Sequence, residues 1–225
     1  EEALVRASKI LYNDGRYEPA LPYYDQLEDL ASSPQVIFNT RVGLMRCNFI
    51  LENYENAAEA AKNVLKDDLL NDETVNVEGN YIAGMSLFKT QAYQEAIPYL
   101  EWTEKNTGQV RGTEALYTLA MVYYELGEYD KSEKIHQDLL KRKPAYDYWI
   151  AKSLILQSRV FMAKDDLFQA DKTIELVIAN YPIQDDGIID EAEQVQLELL
   201  QLQNTEKTFE DNSGRTIDLN GGNDD

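Results

Sequence analysis

Apolar residues recur along this chain at i, i+3, i+4 and i+7, the spacing of one helix face. The stripes come in pairs. Leu116, Leu119, Ala120 and Tyr123 form one, and Ser132, Ile135, His136 and Leu139 form the next. Between them lies Tyr124-Glu125-Leu126-Gly127-Glu128-Tyr129-Asp130, a polar stretch with a glycine that can end a helix in the left-handed region. The same arrangement surrounds Asn13-Asp14-Gly15, Leu51-Glu52-Asn53, Thr90-Gln91-Ala92 and Lys164-Asp165-Asp166. In every case a Tyr or Leu stands three residues before an Ala or Ser. Those Tyr and Leu residues are at 17, 54, 93, 129 and 167, so the spacings are 37, 39, 36 and 38 residues. A repeated helix–turn–helix unit accounts for such a period. Ala or Ser early in each second helix lets two backbones approach closely. Pro144 and Pro182 follow the second helices of the last two units, where proline stops a helix.

This pattern resembles the tetratricopeptide repeat over roughly residues 1–184. The fourth unit carries the resemblance best, through Leu116, Leu119, Ala120, Tyr123, Gly127, Tyr129, Ser132, His136, Leu139 and Pro144. The first follows with Leu4, Ala7, Ser8, Leu11, Gly15, Tyr17, Ala20, Tyr24 and Leu27. Units two and three depart from it with Glu52 and Gln91 where the family has Gly, and unit five with Leu167 for Tyr. The resemblance implies an all-α fold, a right-handed superhelical α-solenoid of antiparallel helix pairs. Its units span about 1–34, 38–71, 77–110, 113–146 and 151–184. A helix over 188–203 is read as a polar-faced cap on the array, and 204–225 as an acidic tail. Within that tail, 208–210 and 216–218 flank Asn212-Ser213-Gly214 and form a hairpin candidate.

Composition then narrows the function. The 225 residues hold 41 acids against 21 bases, a formal charge of −20. That disfavours nucleic acid and anionic membrane surfaces, both of which call for a basic face. No apolar run is long enough for a membrane span. One cysteine, Cys47, and one histidine, His136, leave no zinc cluster built on them and no intramolecular disulfide. Both are read as packed residues. Asp67-Asp68 and Asp185-Asp186 lack the spacing of a calcium loop, and Gly221-Gly222 neither follows a strand nor opens a helix. No catalytic residue, metal or cofactor is assigned. The chain opens on Glu1-Glu2-Ala3 and is read as a processed chain or a fragment.

The resemblance implies that each first helix lines a concave groove. Mapped here, that face includes Arg6, Lys9 and Tyr12; Arg46 and Phe49; Tyr81, Met85 and Lys89; Tyr117, Met121 and Tyr124; and Arg159. Tyr, Phe and Met are enriched where proteins bind proteins. Its basic residues, Arg6, Lys9, Arg46, Lys89, Lys152 and Arg159, face the acids Glu2, Glu78, Glu114 and Glu125. The expected partner is therefore another protein or peptide segment with some negative charge, held without catalysis. The family's clamp for acidic C-termini is missing: Val5, Lys9, Gly43, Glu78 and Ile82 occupy its positions. The alternative is a terminal stacking module of a longer repeat protein, self-associating through terminal helices or tail. The Tyr-rich repeats, with Tyr148-Trp149 and the 165–171 segment, are similar to long repeat proteins of Bacteroidota cell envelopes, which would imply the periplasm or outer membrane.

Overall fold

The computed structural model describes the backbone of residues 1–67, 72–108 and 110–213, and the side chains of all of these except 67 and 205–213. The Asp67 side chain, Asp68, Gly221-Gly222 and the 214–218 half of the hairpin candidate lie outside that description. The described residues form helices and no strand. First helices are α1 (Glu2–Asn13), α3 (Pro34–Ile50), α5 (Glu73–Lys89), α7 (Val110–Glu125) and α9 (Asp147–Ala163). Second helices are α2 (Tyr17–Leu30), α4 (Tyr54–Asp67), α6 (Tyr93–Asn106), α8 (Tyr129–Lys141) and α10 (Leu167–Asn180). A last helix, α11 (Ile188–Ser213), follows.

The turn between paired helices is one motif used five times. Gly15, Glu52, Gln91, Gly127 and Asp165 all have positive φ, between 60° and 73°. Around each, two backbone bonds close the preceding helix. In the first unit Gly15 N–H donates to Tyr12 C=O at 3.0 Å and Arg16 N–H to Leu11 C=O at 2.8 Å. In the third, Gln91 N–H donates to Phe88 C=O at 3.0 Å and Ala92 N–H to Leu87 C=O at 2.8 Å. This is the Schellman arrangement, which satisfies carbonyls that the helix end leaves orphaned. The loops between units supply N-caps, Ser33 accepting from Val36 N–H and Asp72 from Thr74 and Val75 N–H, and in the turn within unit five Asp166 caps α10 by accepting from Gln169 N–H.

The chain divides into two compact units, Glu1–Trp149 and Ile150–Asp225. In the first, every helix from α1 to α8 packs on its neighbour in sequence. The first helices α1, α3, α5 and α7 also touch one another in order, whereas among the described residues no two second helices do. Helices that converge on one side and separate on the other place α1, α3, α5 and α7 on the inner face of this unit. The seam between paired helices is tight because one side is small. Ala20, Ala57 and Ala96 are fully buried, and the Ser132 hydroxyl donates to the Ala120 carbonyl at 2.8 Å. A Cβ at Gly84 would meet Leu100 at 2.8 Å. His136 and Cys47 are both buried, as their repeat positions imply. Burial pushes the Cys47 thiol up to about 11.

In the second unit, α10 packs against α11 through Ala170, Ile174 and Val177 on one side and Ile188, Ala192 and Val195 on the other. Asp186 is an exposed loop charge that also has a structural part. It caps α11 by accepting from Ile188 N–H at 3.2 Å, and it accepts from the Tyr181 hydroxyl. Two expectations fail in α11. The helix continues to Ser213, so residues 208–213 are helical and the hairpin does not form there. Its outer face is not polar either, because Leu197 and Leu200 are 54% and 45% exposed.

Candidate partner-binding face

The inner face of the first unit holds an open cavity of about 250 Å³ built by four successive first helices. Tyr12 comes from α1; Arg46, Phe49 and Ile50 from α3; Glu78, Tyr81 and Ile82 from α5; Arg111 from α7. The aromatic walls are set against each other. Phe49 stands edge-on to Tyr81 with ring centroids 6.1 Å apart, and edge-on to Tyr54 at the same distance. Edge-on pairs of this kind are favourable by about 0.5–1.5 kcal/mol beyond the area they bury.

Its polar groups are cross-linked from one unit to the next. The Arg46 Nε donates to both Glu78 oxygens at 3.0 Å, and Nη2 donates to Oε2, a forked pair. Hydrogen bonding to Glu78 raises the Arg46 guanidinium above its ordinary value. The Tyr81 hydroxyl donates to Glu114 Oε2 at 2.8 Å. Burial, then the Glu114 charge, pushes the Tyr81 phenol well above the ordinary tyrosine range. Burial raises Tyr12 too, with the nearby Arg46 charge opposing. The Arg111 guanidinium lies 5.4 Å from the Tyr81 ring centroid, a cation–π contact, and makes no ion pair among the described residues.

Of the expected groove residues, Tyr12, Arg46, Phe49 and Tyr81 meet in this cavity. Met85 and Tyr117 do not: they are 9% and 7% exposed, so their surface is spent inside the protein. Met85 Sδ accepts from the Thr118 hydroxyl at 3.5 Å, and Tyr117 packs on Trp149 at 5.4 Å. Met121 and Tyr124 are half-buried, Tyr124 tilted on Tyr129 at 5.8 Å. Lys9 and Lys89 are exposed. Arg6 is exposed and pairs with Glu2 at 2.6 Å. Arg159 lies in the second unit, where its Nη1 donates to Glu198 at 2.8 Å, and Lys152 pairs with Glu191 at 2.6 Å. Four of the six groove cations therefore have carboxylates already. The anion preference read from their number does not follow.

Arg111 was missed by repeat mapping, because it lies between units, where no repeat position exists. A larger cleft, about 320 Å³, lies between α2, α3 and α4. It is walled by Asp25, Glu28, Arg41, Glu59 and four asparagines, and so offers little to an apolar anchor. No group of three or more His, Cys, Asp or Glu that could hold a metal occurs among the described residues.

Comparison with known proteins bears on the fold. The profile of the tetratricopeptide repeat matches residues 113–146. In a comparison with curated proteins, no sequence match reaches significance. Among solved structures, the chain is similar to YrrB, titled a tetratricopeptide protein with an unusual peptide-binding site, at 19% identity and TM-score 0.64, over 85% of this chain and 90% of that one. It is also similar to MamA 41-end from Desulfovibrio magneticus RS-1, at 21% identity and TM-score 0.61, over 82% and 97%. A kinesin light chain protein of Podosopora anserina aligns at 13% identity and TM-score 0.59, over 79% and 92%. Residues 113–146 are thus a tetratricopeptide repeat, and the chain has the fold of the tetratricopeptide solenoids.

Proposed function

We propose that the protein is a non-catalytic scaffold that holds a segment of another protein on the inner face of its first helices. The observation that carries this is the cavity walled by Phe49, Ile50, Tyr81 and Ile82, with Arg111 at its rim. Its charges largely cancel: Arg46 is forked to Glu78, and Glu114 is occupied by Tyr81. An aliphatic or aromatic side chain of the partner fills the space between the rings. A carbonyl or carboxylate oxygen of the partner then meets the unpaired Arg111. Buried aromatic and arginine contacts of this kind dominate the energy of many interfaces. Two of the groove acids are differently placed. Glu114 is hydrogen-bonded to Tyr81, and Glu125 is exposed at the end of α7.

Selection of a random peptide library on the immobilised chain tests the proposal. Enriched peptides should share one large apolar residue and lose at least tenfold in affinity with Tyr81→Ala or Arg111→Ala. Peptides that bind both variants as well as the parent would place binding elsewhere.

A second reading, the stacking module, is favoured by one residue. Ile10 on α1 is 60% exposed, whereas its repeat equivalents Cys47, Ser86, Val122 and Val160 are 0% exposed. Cys47 packs there among Ala20, Tyr24 and Leu27 of the preceding repeat, and Val122 among Ala96 and Leu100, so α1 presents uncovered a position that a neighbouring repeat fills. If stacking is the role, Ile10→Glu reduces self-association in sedimentation velocity and leaves library peptides bound.

A further inference from the structure

The last helix is the first half of a sixth repeat. Lys152 pairs with Glu191 and Arg159 with Glu198, and each pair is 39 residues apart. The same offset carries the buried stripe Ser153, Leu156 and Val160 of α9 onto the buried Ala192, Val195 and Leu199 of α11. It carries Ser158, fully buried, onto Leu197 at 54% exposure, and half-buried Phe161 onto Leu200 at 45%. In every other unit the place of Leu197 is filled by Ser8, Met45, Gly84, Ala120 or Ser158, all buried. What covers it there is that unit's own second helix: Ser158 donates to the Ala170 carbonyl at 2.9 Å, and Ala120 accepts from Ser132 at 2.8 Å. The offset also carries Asp165, the positive-φ turn residue, onto Asn204. There α11 does not turn back but runs on as helix to Ser213. Among the described residues nothing occupies the place of a sixth second helix.

We propose that this seam of α11 docks a single amphipathic helix of a partner protein, completing the sixth repeat in trans. Two features define that helix. A large residue at the closest approach needs small residues opposite, as Met45 has in Ala57 and Ala61 of α4. The docked helix therefore presents alanines to Leu197 and Leu200. Glu191 and Glu198 are held by Lys152 and Arg159, but Asp190 and Glu193 are exposed and residues 188–204 contain no Lys or Arg, so the docked helix carries basic residues opposite those two acids. The same charge argues against a second copy of α11 as occupant, since two acidic helices would be brought together. This surface is separate from the inner-face cavity and stands or falls independently of it.

The probe is a synthetic peptide of residues 54–67, the alanine-rich second helix of unit two, carrying Glu55→Lys and Glu59→Lys. It is titrated by fluorescence anisotropy into the full chain. Binding is expected, with at least a tenfold loss in the double variant Leu197→Gln/Leu200→Gln and none in Tyr81→Ala. The leucines are exposed, so far-UV circular dichroism of the variant stays that of the parent. The unmodified 54–67 peptide should bind more weakly than the lysine form. Absence of binding, equal binding to the double variant, or equal affinity for both peptides overturns the proposal. So does concentration-dependent dimerisation that the double variant abolishes, which would make a second copy the occupant.

Discussion

Replacing Glu52 and Gln91 by glycine should stabilise the protein although both side chains are exposed and neither replacement adds a contact. Both residues sit in the left-handed region, at φ 60° and 61°, where Gly15 and Gly127 hold the equivalent turns at 73° and 71°. An L residue in that region carries a cost of about 1–2 kcal/mol from Cβ crowding the carbonyl. Glycine removes it but is more flexible when unfolded, which gives back about 0.5–1 kcal/mol. The difference is about 0.5–1 kcal/mol per turn. The two turns share no partner, so the gains should add to about 1–2 kcal/mol in Glu52→Gly/Gln91→Gly. Urea unfolding followed by far-UV circular dichroism measures it, as a higher midpoint at unchanged slope. The comparison is kept to midpoints at equal slope because long repeat arrays lose two-state cooperativity. Gly127→Ala should move the midpoint the other way. An unchanged or lower midpoint in the double variant refutes the reasoning. It would mean that the glutamate and glutamine side chains contribute something at these turns that their exposure hides.

Gln157 is 4% exposed and neither end of its amide has a hydrogen-bond partner, whereas its repeat equivalents are Ala7, Leu44, Ala83 and Leu119. Gln157→Leu should therefore raise stability by about 1–3 kcal/mol in the same urea assay. Gly112→Ala should be severely destabilising, read as a fall in thermal midpoint. The added Cβ would collide with the Thr107 carbonyl and the Arg142 guanidinium, which itself donates to the Glu104 and Thr107 carbonyls at 3.1 and 2.6 Å. Cys47 should be inert to a disulfide reagent until the chain unfolds. Its thiol ionises near 11 when folded against 9.0 when free, so the unfolded state loses its proton first as pH rises. This group's share of stability is therefore complete below pH 9 and lost between 9 and about 11, which urea midpoints at pH 8, 9.5 and 10.5 will show.

The architecture was legible because its signals are local. The period of 37, 39, 36 and 38 residues in the sequence is also the spacing of the five positive-φ residues from Gly15 to Asp165. That agreement holds even where Glu52 and Gln91 replace glycine, because the two closing hydrogen bonds come from the backbone. The inner face was less legible because its interactions are not local. Whether Arg46 is available to a partner depends on Glu78, 32 residues away, and Arg159 depends on Glu198, 39 residues away. A count of charges along one helix cannot register pairs that form between helices. Met85 and Tyr117 failed for a related reason: they belong to the stripe at helical spacing, yet a wide stripe touches both the groove and the neighbouring helix. The end of α11 was misread because periodicity reports burial rather than helicity. The apolar stripe stops near Leu200 for want of a neighbour, while backbone hydrogen bonding carries the helix to Ser213. The same distinction bears on the charge of −20. Net charge fixes the long-range field of the chain, but each inner-face cation that already holds a carboxylate contributes little to it. On the proposed reading, selectivity there falls to groups that the described residues leave without a carboxylate, Arg111 in the cavity wall among them.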